Sequence, residues 1–170
     1  MLSRRALVAA ALAPARRRRN ILLLIADNWA YPHASVYGDP VIRTPVFDRL
    51  AIEGTLFTRA FAPNPSCSPS RSSLLTGRPT HQLGEAASLY GPLDSALKLY
   101  PELLEASGYV TGYSGKGWAP GSTPGRLHNP SGRHQLGLEA FLDQAGGQPF
   151  CYWLGSTDPH VPGRRETGLR

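Results

Sequence analysis

At 170 residues the chain has room for one ordinary domain with a real core, and it is short for an elaborate two-lobed enzyme. Its net charge of +6 does not point to nucleic acid: Arg4, Arg5 and Arg16 to Arg19 carry six positive charges before the first acid, Asp27, and the remaining 12 basic residues match the 12 acidic ones. Two cysteines, Cys67 and Cys151, exclude a disulfide scaffold and a multi-cysteine zinc module, and their unlike surroundings argue against a bridge between them.

Residues 1–19 read as an export signal or, alternatively, a basic tail. Ser3-Arg4-Arg5 precedes the apolar run from Ala6 to Ala13, and Ala13-Pro14-Ala15 offers small residues at a cleavage point. Paired arginines directly before such a run resemble a twin-arginine export signal, although four arginines after the cut are unusual there. The run is too short to span a bilayer. An exported or periplasmic location is therefore expected, with a cytoplasmic one as the alternative.

From Asn20 short apolar runs alternate with helical stretches. Ile21 to Ala26 is the kind of continuous apolar run that a strand buried on both faces needs, and it stops at Asp27-Asn28. Thr44 is a candidate N-cap for a helix that begins at Pro45 and ends at Gly54. Thr55 to Phe61 reads as a strand, and the turn-rich Pro63 to Ser66 leads to Cys67 and a helix that Pro69 starts and Gly77 stops. Pro101 to Ser107 is helical with Gly108 as its stop, Tyr109 to Ser114 is a strand ending at Gly115-Lys116, and residues 117–137 form a long loop. Leu138 to Gln144 is a helix, and Phe150 to Leu154 a strand that runs into Asp158-Pro159-His160.

This alternation predicts an α/β fold, a mainly parallel sheet flanked by helices. Such sheets bind ligands at the carboxyl ends of their strands. Asp27 and Asn28 follow the first predicted strand, Cys67 the second, Lys116 the third and His160 the fourth, so four strand ends converge on one crevice. Asp27 with Asn28 suits a hard divalent cation such as calcium, which takes carboxylate and amide oxygens; the pair alone is equally a turn or a helix cap. Lys116, one of two lysines in the chain, stands between two glycines. Alone it reads as a solvated lysine, Arg71 as a surface ion pair and His160 as an ordinary loop histidine. His33 and His81 have no comparable support.

The segment Cys67-Ser68-Pro69-Ser70-Arg71, followed by Leu74-Leu75-Thr76-Gly77-Arg78, resembles the signature of the formylglycine-dependent sulfatases. The resemblance extends over most of Asn20 to Pro162, and implies the alkaline phosphatase-like three-layer α/β/α fold. It implies that a formylglycine-generating enzyme oxidises Cys67 to an aldehyde whose hydrate carries two hydroxyls, one to attack sulfur and one to expel sulfate. It further implies a divalent cation, calcium, held by Asp27, Asn28 and the modified position 67, which lowers the pKa of the attacking hydroxyl. Arg71 would hold these ligands in place, Lys116 would contact the sulfate, and His160 would bind sulfate or protonate the leaving group. Ala26-Asp27-Asn28-Trp29, Gly115-Lys116-Gly117-Trp118 and Asp158-Pro159-His160 are most similar to the branch that includes the heparan N-sulfatases. The substrate implied is a sulfated small molecule or glycan, bearing a sulfate ester or sulfamate.

Three departures qualify the resemblance. Many sulfatases have a second aspartate where this chain has Asn28, and a histidine where it has Trp118, a residue then free to shape the substrate pocket. Further metal ligands from a later strand do not occur before Arg170, so residues 20–170 read as the amino-terminal portion of a catalytic domain, a fragment with weak calcium binding and little turnover of its own. A phosphoester or phosphonate hydrolase of the same superfamily, and a non-catalytic remnant that binds anions or a partner, are the competing readings.

Overall fold

A computed structural model describes residues 18–160, built around a four-stranded, wholly parallel sheet in the order β1-β4-β2-β3. The strands are β1 (Ile21–Ile25), β2 (Val110–Gly115), β3 (Arg133–His134) and β4 (Phe150–Gly155). The helices are α1 (Pro45–Glu53), α2 (Cys67–Thr76), α3 (Tyr100–Ala106) and α4 (Leu138–Ala145), and single-turn 3-10 segments fill the connections. The predicted signal falls almost wholly outside the described residues. Its last two arginines do not: Arg18 donates to the Ser107 carbonyl, and the Arg19 carbonyl accepts from the Tyr109 hydroxyl at 3.1 Å.

Successive residues of a strand face opposite ways, and β4 uses both faces. Trp153 turns toward α2 and α3 and joins Leu75, Leu83, Leu93, Leu99 and Trp118 in the main core, with Leu23, Ile25 and Tyr113 packed against it. Tyr152 turns to the other face and meets Phe141 of α4 with ring centroids 4.6 Å apart. Helices thus flank the sheet on both sides, the α/β architecture that the strand and helix alternation predicts. Burying a side chain of this size stabilises the fold by about 1.5 to 3 kcal/mol.

Two strand expectations need correction. β1 forms, yet it is an edge strand and not one buried on both faces: Leu22 and Leu24 remain 50% and 52% exposed. Continuous apolar character marks a strand without specifying which neighbours cover it. Thr55 to Phe61 forms no strand, and Phe57 and Phe61 are 71% and 87% exposed. β preference is realised only by pairing, and this segment hydrogen-bonds to no strand among the described residues. Between it, α1 and β1 lies a largely apolar groove of about 580 Å³, lined among others by Leu24, Trp29, Phe47, Leu50, Phe57 and Leu154.

Smaller differences are local. α2 begins at Cys67, two residues before Pro69, which the first turn tolerates because its missing N–H would have no helical partner there. Thr44 occupies the N-cap of α1 without capping the backbone; its hydroxyl donates to Asp48 at 2.9 Å, and the Asp48 carboxylate also receives the Ser35 hydroxyl at 2.6 Å and the Val36 N–H at 3.1 Å. The loop of residues 117–137 contains β3, which pairs with Gly112 and Tyr113. Both cysteines are free, and burial pushes the Cys151 thiol up to about 11 against the lowering effect of its hydrogen bond with Tyr100. No helix among the described residues is long and apolar enough to cross a membrane.

Candidate active site

Asp27 is the second residue beyond β1, and its N–H donates to the Asp158 carbonyl at 3.1 Å, so the ends of β1 and β4 are stitched together at the mouth of the sheet. Asp27 is 4% exposed, and its carboxylate receives two cations. Arg71 Nη2 lies 3.3 Å from Oδ1, and Lys116 Nζ, from the end of β2, bonds to Oδ2. Burial acts to raise the Asp27 pKa, but the Lys116 ammonium and then the Arg71 guanidinium outweigh it and hold the carboxyl below its ordinary value.

Cys67 is the first residue of α2, where unpaired backbone N–H groups favour negative charge. The sequence there is rich in small residues, and Ser68, Ser72 and Ser73 are buried, so α2 packs closely against its surroundings. Ser68 donates to the Pro120 carbonyl, fixing the first turn of α2 to the loop after β2. The Cys67 sulfur then lies 3.6 Å from Lys116 Nζ, while ligand-type atoms of Asp27, Cys67 and His160 all fall within 4.8 Å of one another.

Arg71, one turn along α2, is 5% exposed and is not the surface ion pair that it would be alone. Besides Asp27 it bonds to the carbonyls of Lys116 at 2.9 Å and Gly117 at 2.8 Å, and it lies over the Trp153 ring at 5.5 Å. One guanidinium thus ties α2, the ends of β1 and β2, and the core.

Asp27, Cys67, Arg71, Lys116 and His160 therefore come together, from the ends of three strands and the start of one helix rather than from four strands. Asn28 stands beside them with an exposed side chain and a left-handed backbone, φ 63°, a conformation that asparagine tolerates better than most residues. Trp118 does not shape the pocket: it is 2% exposed, belongs to the core and donates from Nε1 to the Ser72 hydroxyl at 2.8 Å. His33 is exposed and pairs with Asp39 at 3.1 Å; His81 lies in the 3-10 turn Thr80–Gln82. Sequence reading missed Ser72, Asn129, Ser131 and Trp153, which hold the turn carrying Lys116; Asn129 and Ser131 have a local signal in the turn-forming run Asn129-Pro130-Ser131-Gly132, whereas Ser72 and Trp153 have none for this role.

The donor chemistry fits one side of a cation site. The Lys116 ammonium already bridges the Asp27 carboxylate and position 67, so positive charge is favoured between them. A hard cation such as calcium takes roughly six to eight oxygens. Asp27 and Asn28 supply only part of that shell.

A parallel sheet whose strand ends gather a carboxylate, two fixed cations and a helix-start cysteine defines the class of α/β proteins with an anion-binding crevice at the strand ends. Residues 19–148 match the Sulfatase family model, and the chain belongs to the sulfatase family. It is 36% identical over 163 residues to N-acetylgalactosamine-6-sulfatase of Homo sapiens, covering 86% of this chain and 29% of that protein. With arylsulfatase A of Homo sapiens it shares 40% identity over 153 residues, covering 87% of this chain and 28% of the relative. A protein solved in complex with its substrate D-glucosamine-2-N,6-O-disulfate superimposes with a TM-score of 0.68 at 25% identity, over 85% of this chain and 35% of that one. The chain thus spans less than a third of the length of these curated relatives, which identify the family and not a branch within it.

Proposed function

We propose that this chain contributes to a site that hydrolyses sulfuric esters or sulfamates, with position 67 acting as formylglycine beside a divalent cation, calcium. The single observation that carries the reading is the meeting of Cys67 with Asp27, Lys116 and His160 at the strand ends. Hydrated formylglycine supplies two hydroxyls on one carbon, and a bound cation supplies the charge that favours the ionised hydroxyl and polarises the sulfate oxygens. Asp27, Asn28 and position 67 are the residues that would hold that cation.

The remaining work falls to this chain's own side chains. Arg71 is permanently charged and holds Asp27 and the Lys116 turn in fixed positions. Lys116 presents a point charge to the oxygens of the group being transferred. His160 is within reach of position 67 and is suited to give a proton to the leaving oxygen. The proposed cation adds its own two charges to those of Asp27, Arg71 and Lys116, so the electrostatics suit sulfate and phosphate esters alike. The distinction from phosphoester and phosphonate chemistry rests on the Cys67 to Arg78 signature and on the family.

Named relatives act on sulfated N-acetylgalactosamine, and one structural neighbour holds a disulfated glucosamine, which favours a sulfated sugar as substrate. The partial ligand set favours weak calcium binding and slow turnover by the 170-residue chain alone. The same reading includes export through the Ser3-Arg4-Arg5 signal, checked by amino-terminal sequencing of protein recovered outside the cytoplasm.

The decisive experiment is co-expression with a competent formylglycine-generating enzyme, followed by peptide mass spectrometry across Cys67. Exchange of the thiol for an aldehyde is expected. Persistence of an intact thiol would remove the nucleophile on which the proposal depends.

A further inference from the structure

The turn that carries Lys116 is held at nearly every backbone polar group. The Lys116 N–H donates to the Gly155 carbonyl at 2.8 Å, and the Lys116 carbonyl accepts from Arg71 Nη1 at 2.9 Å and from Trp153 Nε1 at 3.1 Å. The Gly117 carbonyl accepts a second bond from Arg71. Two residues on, the grip passes to Asn129, whose side chain closes on the Trp118 backbone from both sides. Asn129 Oδ1 accepts from the Trp118 N–H at 3.1 Å, and Asn129 Nδ2 donates to the Trp118 carbonyl at 2.9 Å.

This clamp is itself supported. Asn129 Oδ1 also accepts from the Ser131 N–H at 3.0 Å, and the buried Ser131 hydroxyl accepts from the same Trp118 N–H at 2.8 Å. The Gly132 N–H closes the turn onto the Asn129 carbonyl at 2.9 Å. The approach is close enough that a Cβ on Gly117 would lie 2.9 Å from Asn129 Oδ1 and 2.7 Å from the Tyr113 ring. Glycine at 117 is the residue that lets the clamp and the turn meet.

We infer that Asn129 is a positioning residue for Lys116: by fixing both backbone polar groups of Trp118 it keeps the ammonium aimed at Asp27 and position 67. The inference rests on the reading of Lys116 as the cation that faces the transferred anion. The Asn129 side chain bonds to the backbone of Trp118 and Ser131 and not to the ammonium or Cys67, so its influence passes through the backbone of residues 116–118. A lysine stem has four rotatable bonds and loses its aim when its own backbone is loosened.

The test uses the unconverted 170-residue chain in EDTA and reads alkylation at Cys67 by peptide mass spectrometry, with buried Cys151 as the internal measure of unfolding. The quantity is the rate with iodoacetate, an anion, divided by the rate with neutral iodoacetamide. A cation 3.6 Å from the sulfur raises this ratio, and salt lowers it. Lys116→Met gives the floor. Asn129→Ala is expected to bring the ratio down by about threefold or more toward that floor, with no further loss in the double variant.

Should Asn129→Ala also expose Cys151, Ser131→Ala decides, since it deletes one acceptor of the Trp118 N–H without emptying the turn; the ratio is expected to fall in the same direction by a smaller factor. A ratio that falls in Lys116→Met and stays at the wild-type value in the Asn129 and Ser131 variants overturns the positioning role alone. An unchanged ratio in Lys116→Met overturns the reading of Lys116 as the anion-facing cation, and the inference with it.

Discussion

Arg71 Nη2 lies 3.3 Å from Asp27 Oδ1, and both side chains are 5% exposed, so the two charges that organise the site are withdrawn from water together. Water cannot replace either partner. Removing Arg71 leaves the buried Asp27 with Lys116 alone and takes the donor from the Lys116 and Gly117 carbonyls, which is costlier than losing a surface ion pair.

Arg71→Met should therefore destabilise the chain by about 3 to 5 kcal/mol, read as a lower urea midpoint at unchanged slope. Arg71→Lys should recover little, because an ammonium cannot reach Asp27 and the carbonyls of Lys116 and Gly117 with one rigid fork. A stability loss under about 1 kcal/mol for Arg71→Met would mark the pair as solvated after all.

Acid should act through Asp27. Its folded pKa is below the ordinary value of 3.8 because the Lys116 and Arg71 charges outweigh burial. The unfolded chain therefore takes up the proton first as pH falls. The stability contributed by this group is present in full above the unfolded value and is lost as pH drops from there through the folded one. Asp27→Asn removes that dependence, so its stability should fall less steeply on the acid side than that of the wild type, although it starts lower because two cations lose their counter-charge. Parallel acid limbs for the two proteins, followed by urea unfolding at several pH values, would show that the titration lies elsewhere.

Much of this site can be read from local sequence. The end of β2 is marked by an abrupt change from Tyr113-Ser114 to Gly115-Lys116, and the start of α2 by a turn-rich stretch before Cys67. Asp27 and His160 follow apolar runs in the same way. The rest depends on distant partners. Whether Ile21 to Ile25 is central or at an edge is decided by what pairs beside it, and Thr55 to Phe61 has the composition of a strand without a strand to join. The fate of Trp118 is the clearest case: nothing near it in sequence announces that Ser72, 46 residues earlier, accepts its indole N–H.

That placement makes Trp118→His informative. The resemblance implies a histidine there in many sulfatases, and a reading from sequence alone leaves position 118 free to face the substrate pocket. The structure predicts the opposite, a core void and an orphaned Ser72 hydroxyl, with a loss of about 3 kcal/mol or more. Trp118→Phe, which keeps most of the volume and gives up the hydrogen bond, should cost about 1 to 2 kcal/mol by urea unfolding. Equal and small losses in both variants would mean that the indole is not packed as described.

The contact between the ends of β2 and β4 offers the sharpest test of the site's geometry. A Cβ on Gly155 would sit 1.9 Å from the Lys116 carbonyl oxygen, and one on Gly115, whose φ is +67°, would sit 2.0 Å from the Gly155 carbonyl oxygen. Both obstructing atoms belong to backbone and cannot swing aside. Gly155→Ala must therefore push the Lys116 peptide away from Arg71 and Trp153, disturbing the lysine as well as the sheet. Its expected cost is about 1 to 3 kcal/mol or more from overpacking, together with a lower iodoacetate-to-iodoacetamide ratio at Cys67 as the ammonium moves off the sulfur. Gly38→Ala is the comparator, because φ there is +89° with no atom within 4 Å of the added carbon, so it feels backbone strain alone and should cost about 1 kcal/mol. If Gly155→Ala proves no more harmful than Gly38→Ala, the two strand ends do not approach as closely as the Lys116 turn requires.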